Sequence, residues 1–223
     1  MANIVEGFRY VAHTAPIRAL LLLIGVVSFC GMPYAVLMPV FAENILHSGA
    51  RGLGILMGAS GIGALIGSVA LAMRSTVHGL GRWVAVSTAA FGATLAVFAL
   101  SRSFVLSTIA LVPVGAAMMV QMASSNTLIQ SMVPDELRGR VMSVYSMMFM
   151  GMGPLGALLA GSVAQRTGAP IAVAAGGVIS IAAAAVFGMR LPSLRGEARQ
   201  LIIAQQYAGG DPAEEQTATG AEA

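Results

Sequence analysis

Six long stretches without a charged side chain dominate the chain: Ala19 to Phe41, Gly52 to Met73, Trp83 to Leu100, Ser103 to Met132, Val141 to Ala164, and Ala169 to Met189. A helix that crosses a hydrocarbon core about 30 Å thick needs roughly 20 such residues, and each stretch is of that order. The stretches are rich in Ala, Leu, Gly and Met and do not alternate apolar with polar, which predicts bundled helices rather than a barrel of short strands. Composition agrees: 57% of residues are hydrophobic and 9% charged, where a soluble domain is about a quarter charged. The first stretch is too long for a secretory signal and lacks a small-residue cleavage site, so it is expected to stay in the mature protein. Cys30, the one cysteine, lies within it and excludes an intrachain disulfide or a cysteine metal cluster.

All twelve basic residues other than histidine are arginines. Allocating the connections to alternate sides puts Arg9, Arg18, Arg74, Arg82, Arg138, Arg140, Arg190, Arg195 and Arg199 on one side and Arg51, Arg102 and Arg166 on the other. Short positively charged loops stay in the cytoplasm. The nine-arginine side is therefore expected to be cytoplasmic, with both termini on it, as an even number of spans also requires.

Between the fourth and fifth stretches stands "VPDELRGR", residues 133 to 140, four charges in six positions. Pro134 suits the first turn of a new helix. Asp135 and Glu136 then lie at its N-terminus, where the helix dipole favours negative charge. Glu136 and Arg140 are spaced for an i,i+4 ion pair of about 0.2–0.5 kcal/mol, too little to explain the cluster by stability alone.

This segment resembles one in a known family. "NTLIQSMVPDELRGRVMSVYSM", residues 126 to 147, is similar to the link between the tenth and eleventh helices of bacterial major facilitator superfamily permeases of the enterobactin-exporter type. Pro134, Asp135, Leu137, Arg138, Gly139, Arg140 and Val141 fill that family's P-D-x-L-R-G-R-V loop. "EGFRYVAHTAPIRALLLL" (6–23) resembles its central linker leading into helix seven, and "GMPYAVLMPVFAENIL" (31–46) that helix and the loop after it. "LAMRSTVHGLGRW" (71–83) matches the superfamily's G-x-x-x-D-R-x-G-R pattern in part: Gly79, Gly81 and Arg82 are present and the acid is not. The resemblance implies an all-α membrane fold of six spans forming one carboxy-terminal half, a 3+3 inverted repeat, of a twelve-span transporter. It also implies a gating role for Pro134, Asp135, Arg138, Gly139 and Arg140, and a substrate path surrounded by spans one, two, four and five.

"GALIGSVA" at 63–70 returns as "GALLAGSVA" at 156–164, three spans later and entering the membrane in the opposite sense. Inverted repeats produce such echoes, and so does shared use of small residues for close helix packing.

No ionisable side chain lies deep in any span, so an intramembrane proton carrier is not expected here; Glu43 reads as an external loop residue. The fourth span is the most polar. Gln121, Ser124 and Ser125 share one face, with Asn126 and Gln130 on an adjacent strip. These residues are candidates either to line an aqueous cavity or to hydrogen-bond between helices. Gln121, Ser124, Ser125 and Asn126, with Tyr34 and Tyr145, form the set of substrate-cavity candidates. Nine of the fifteen methionines fall in or beside spans four and five, suiting either an adaptable binding wall or gap filling. Pro33, Pro39, Pro113 and Pro154 are expected to interrupt helical hydrogen bonding and permit bends. Trp83 reads as an interfacial anchor.

Three segments are expected: a cytoplasmic linker-like portion (1–18), a six-span unit (19–189) and a cytoplasmic tail (190–223). In the tail, "RGEARQLIIAQQY" reads as a short interfacial helix and the acidic end as disordered. No metal-site, phosphate-loop or nucleophile motif is present, and His13, His47 and His78 fall in separate loops. No catalytic residue, metal, cofactor or nucleic-acid partner is expected. The expected function is export of a small organic solute, of siderophore or drug type, by alternating access across a bacterial cell membrane, as one half of a secondary transporter. The expected partners are the lipid bilayer, the solute and a second six-span half, either a separate chain or a second copy. A truncated, non-transporting membrane fragment or interaction module is the alternative.

Overall fold

A computed structural model describes residues 2–73 and 79–208. A short helix, α1 (Ala2–His13), comes first. Six long helices follow: α2 (Ala15–Ile45), α3 (Gly49–Ala72), α4 (Leu80–Leu100), α5 (Phe104–Met132), α6 (Asp135–Thr167) and α7 (Ala169–Ala208). Each of the six is long and apolar enough to cross a membrane, and the described residues contain no strand. The chain is a multi-pass helical membrane protein.

Helix boundaries depart from the uncharged stretches at both ends. Pro16 opens α2 one turn before Ala19, and Arg18 lies inside that turn, its guanidinium donating to the Ala12 carbonyl at 2.6 Å. The segment expected as a separate helix beyond Pro192 is a continuation of α7. Leu194, Ala198, Leu201 and Ile202 form an apolar stripe along it and pack against the bundle core. The acidic end, together with Arg74 and His78, lies outside the described residues.

The expected proline interruptions occur in α2 and α6. The backbone widens into π turns at Val27–Gly31, Phe41–Ile45 and Met147–Gly151. Proline supplies no N–H to the carbonyl four residues back, and Pro33, Pro39 and Pro154 each lie within three residues of such a turn. The Met32 amide donates to Val27 O at 3.0 Å and the Leu46 amide to Phe41 O at 2.8 Å, both five residues back. Pro113 behaves differently: α5 runs through it without a break. Glu43, read as a loop residue, is an exposed member of the last π turn of α2.

Helix α3 packs on α5, and α4 packs on both α5 and α7; α7 also packs on α2, which α6 contacts in turn. Exchanging α2 with α5, α3 with α6 and α4 with α7 turns the α3–α5 contact into α6–α2 and the α4–α5 contact into α7–α2. The α4–α7 contact maps onto itself. This is the pattern of two inverted triplets, and the echoed glycines occupy equivalent places in it. A Cβ on Gly63 would collide with the Val112 carbonyl of α5, and one on Gly156 with the Phe29 carbonyl of α2. On the axis between the triplets, Gly92 and Gly177 each face the other's carbonyl in the same close manner. The fold is that of one six-span half of the major facilitator architecture.

Two apolar clusters fill the bundle. One, centred on Phe41, Phe91, Phe98 and Leu111, lies toward the end with fewer arginines, and the Phe41 and Phe98 rings sit 4.7 Å apart. The other, with Ile17, Leu21, Val84, Ile129 and Val141, lies at the arginine-rich end. Coverage is uneven. Within their most apolar windows 61% of α2 is buried, against 22% of α3 and 6% of α6.

Candidate functional site

Pro134 caps α6 in an extended conformation (φ −54°, ψ 145°), which puts Asp135 and Glu136 in the first turn of the helix. Arg138 pairs with Asp135 at 2.5 Å, one turn apart. The pair suggested by i,i+4 spacing does not form. Arg140 turns away from Glu136 and meets Glu6 of α1 at 2.7 Å. The reason is packing: α1 docks on the start of α6, and a Cβ on Gly7 would lie 3.0 Å from the Arg140 carbonyl oxygen. Glycine lets the two backbones approach, which brings Glu6 within reach.

Apolar contact supplies most of this attachment. Val11 of α1 shares a buried cluster with Val141 and Val144 of α6, whereas an ion pair exposed to this degree contributes about 0–1 kcal/mol. Tyr10 is half-buried beside it. Burial pushes its phenol pKa up, offset in part by a hydrogen bond with Thr14. Gly139 is exposed and a Cβ there would meet open space, so close packing does not require glycine at this position.

The six cavity candidates do not share one surface. Gln121, Ser124 and Ser125 are buried inside the bundle. The Gln121 Nε2 and both serine hydroxyls make no hydrogen bond to a protein group, and neither does Ser28 on α2. A buried polar group left unmatched costs about 1–3 kcal/mol, so these residues do not stabilise the six-helix unit. Tyr34 and Tyr145 join helices: the Tyr34 hydroxyl and Ser60 Oγ lie 3.2 Å apart across α2 and α3, and the Tyr145 hydroxyl donates to the Met122 carbonyl at 3.4 Å across α6 and α5. Asn126, half-buried, accepts from Gln130 Nε2 at 2.7 Å along the same helix. None of the six lines the cavity of about 770 Å³ at the arginine-rich end or the one of about 410 Å³ at the other.

Sequence reasoning missed Glu6, because no local spacing relates residue 6 to residue 140. It also missed Ser60, whose only signal is a hydroxyl on an otherwise apolar turn. His13 ends α1, and His47 sits in a left-handed turn (φ 49°) between α2 and α3. Among the described residues no three His, Cys, Asp or Glu side chains gather for a metal.

The chain has relatives. It is 29% identical over 169 residues to the multidrug efflux pump Tap of Mycolicibacterium fortuitum, a match covering 75% of this chain and 41% of the pump. It is 21% identical over 185 residues to YfmI of Bacillus subtilis (strain 168), described as an uncharacterized MFS-type transporter, covering 82% of this chain and 46% of that protein. The chain thus spans less than half the length of both. No solved structure matches it. The model of one protein family, transmembrane secretion effector, matches residues 1–215. With six spans in two inverted triplets, the chain belongs to that family of major facilitator superfamily permeases.

Proposed function

We propose that this chain is one half of a secondary exporter that moves a small organic solute by alternating access when a second six-span unit lies beside it. The observation that carries this is the bareness of α3 and α6. These helices occupy equivalent places in the two triplets, and they are the least covered of the six. The second unit would sit against them, provided by a separate chain or a second copy, with the proline-broken α2 and α6 bending as access alternates. The arginine-rich end faces the cytoplasm of a bacterial cell. The segments are a linker-like helix region (1–18), the six-span unit (19–189) and a cytoplasmic tail (190–223).

The buried, unmatched polar groups of α5 support the same reading. Gln121, Ser124 and Ser125 act as a polar reserve near the solute path, Asn126 extends it, and Tyr34 and Tyr145 tie the path-lining helices together. The likeness to a multidrug efflux pump of Mycolicibacterium supports a small organic solute, and the methionines of α5 and α6 suit an apolar one. Asp135 and Arg138 with Pro134, Gly139 and Arg140 form the cytoplasmic gate element.

Reconstitution into proteoliposomes, with and without a six-span amino-terminal unit from a full-length relative, tests the proposal. Efflux of a fluorescent apolar dye is expected from the paired preparation. Absence of flux from both, with the proteins correctly inserted, favours the non-transporting module. In the paired preparation, Asp135→Asn or Arg138→Gln is expected to reduce flux at least tenfold while membrane insertion is unchanged. Equal losses of both would leave the loop with a topological role alone.

A further inference from the structure

The larger cavity, about 770 Å³, is not part of the solute path just proposed. It opens at the arginine-rich end among the first two turns of α2, the start of α4, the end of α5 and the second half of α7 from Phe187 onward. Neither α3 nor α6 contributes a residue to it. It therefore faces away from the surface on which a second half would sit, and toward lipid.

Its chemistry has two parts. Leu20, Met132, Phe187 and Leu191, all buried, form an apolar floor. Arg82, Arg195 and Arg199 stand at its rim, all exposed, and among the described residues no acidic one lines it. Arg195 and Arg199 are one helical turn apart on α7, so they project on the same side, with Arg82 at the start of α4 completing the group. Glu197 lies two residues from each and hence on another face of that helix. The two ion pairs among the described residues involve other arginines. Like charges four apart on a helix repel, so the cluster weakens the bare protein and suits an anion with an apolar body. The volume is within the range of about 300–1,000 Å³ typical of ligand sites.

We propose that this cavity binds an anionic phospholipid, its phosphate among Arg82, Arg195 and Arg199 and its upper acyl carbons on the floor of Leu20, Met132, Phe187 and Leu191. Guanidinium groups pair with phosphate oxygens in fixed bidentate geometry, and basic pockets between spans at the cytoplasmic surface suit anionic headgroups. The bound lipid would fasten the extension of α7 to the start of α4. Assigning the lipid to the inner leaflet rests on the orientation proposed above; the binding itself does not.

The test uses the full chain in nanodiscs of mixed phosphatidylcholine and phosphatidylglycerol, followed by native mass spectrometry of the lipid that stays bound. Preferential retention of phosphatidylglycerol is expected. Arg82→Gln, Arg195→Gln and Arg199→Gln should each weaken the preference by about fivefold, from roughly 1 kcal/mol per arginine near an anionic headgroup. Changing all three to Lys, which keeps the charge and loses the bidentate fork, should leave a preference between that of the parent and that of the triple Gln variant, and Arg102→Gln with Arg166→Gln at the other end should leave it unchanged. Circular dichroism and elution volume establish that each variant is folded. No preference in the parent chain, or equal preference in the folded triple Gln variant, overturns the proposal. So does retention that appears only after residues 209–223 are removed, because the acidic tail would then be the occupant, and so does displacement by millimolar inorganic phosphate with no lipid requirement. Reporter fusions that place this end outside the cell would overturn the orientation and leave the binding result standing.

Discussion

Gly63 and Gly156 begin the two halves of an echoed sequence, and each lies where a neighbouring carbonyl leaves no room for a methyl group. Gly63→Ala and Gly156→Ala are each expected to cost about 1–3 kcal/mol, the usual range for overpacking. Gly58→Ala and Gly161→Ala, where a Cβ would meet open space, should stay within about 0.5 kcal/mol. Unfolding in mixed micelles with increasing denaturing detergent measures all four. The echo was legible because it repeats a local requirement. The Glu6–Arg140 pair was not, since it depends on two segments more than a hundred residues apart being brought together by Gly7 and the valines around it. A double-mutant cycle on Glu6→Gln and Arg140→Gln is expected to return a coupling of about 0.2–1 kcal/mol, and Gly7→Val should disturb α1 more than loss of either charge.

At the level of helices, the hydrophobic stretches marked all six spans, because lipid demands the same length and polarity wherever a chain crosses it. Their limits were less visible. Apolar stripes and prolines carry α2 backward to Ala15 and α7 onward to Ala208, beyond any uncharged stretch. Proline located the π turns of α2 and α6, but Pro113 shows that its presence does not fix the outcome: α5 is held along its length by α3 and α4 and stays regular. Each π turn leaves the regular i→i−4 register and lies within three residues of a proline that donates no backbone hydrogen bond, so the helix is held there by fewer bonds. Hydrogen exchange in nanodiscs should therefore be faster for amides at 28–32 and 147–151 than for those at 114–120 of α5. Equal protection would mean that the π turns are as rigid as the helix around them.

For the molecule as a whole, charge and burial answer different questions. The arginine distribution is readable residue by residue, and the proposed orientation rests on it. Reporter fusions at residues 135 and 205 should report the same side, and fusions at 47, 102 and 168 the other; a split within either group would break the six-span topology. The inventory of cavity residues was less legible. Polarity picked out Gln121, Ser124 and Ser125, but the side of α5 that faces into the bundle depends on the neighbours, and all three are interior. The arginine-lined cavity was invisible for the same reason, because Arg82 and Arg199 become neighbours only when α4 and α7 cross. Bareness of α6 follows from the packing scheme, and it makes bilayer thickness a control on shape. In the unpaired chain α6, with only 6% of its most apolar window buried, is the helix freest to adjust its tilt to a thinner or thicker membrane, at a cost of only fractions of a kcal/mol per ångström, pivoting about its packed start at Val141 and Val144 while the Gly92–Gly177 crossing stays locked. Two organisms with different lipid chain lengths would thus set the resting angle of this one helix differently.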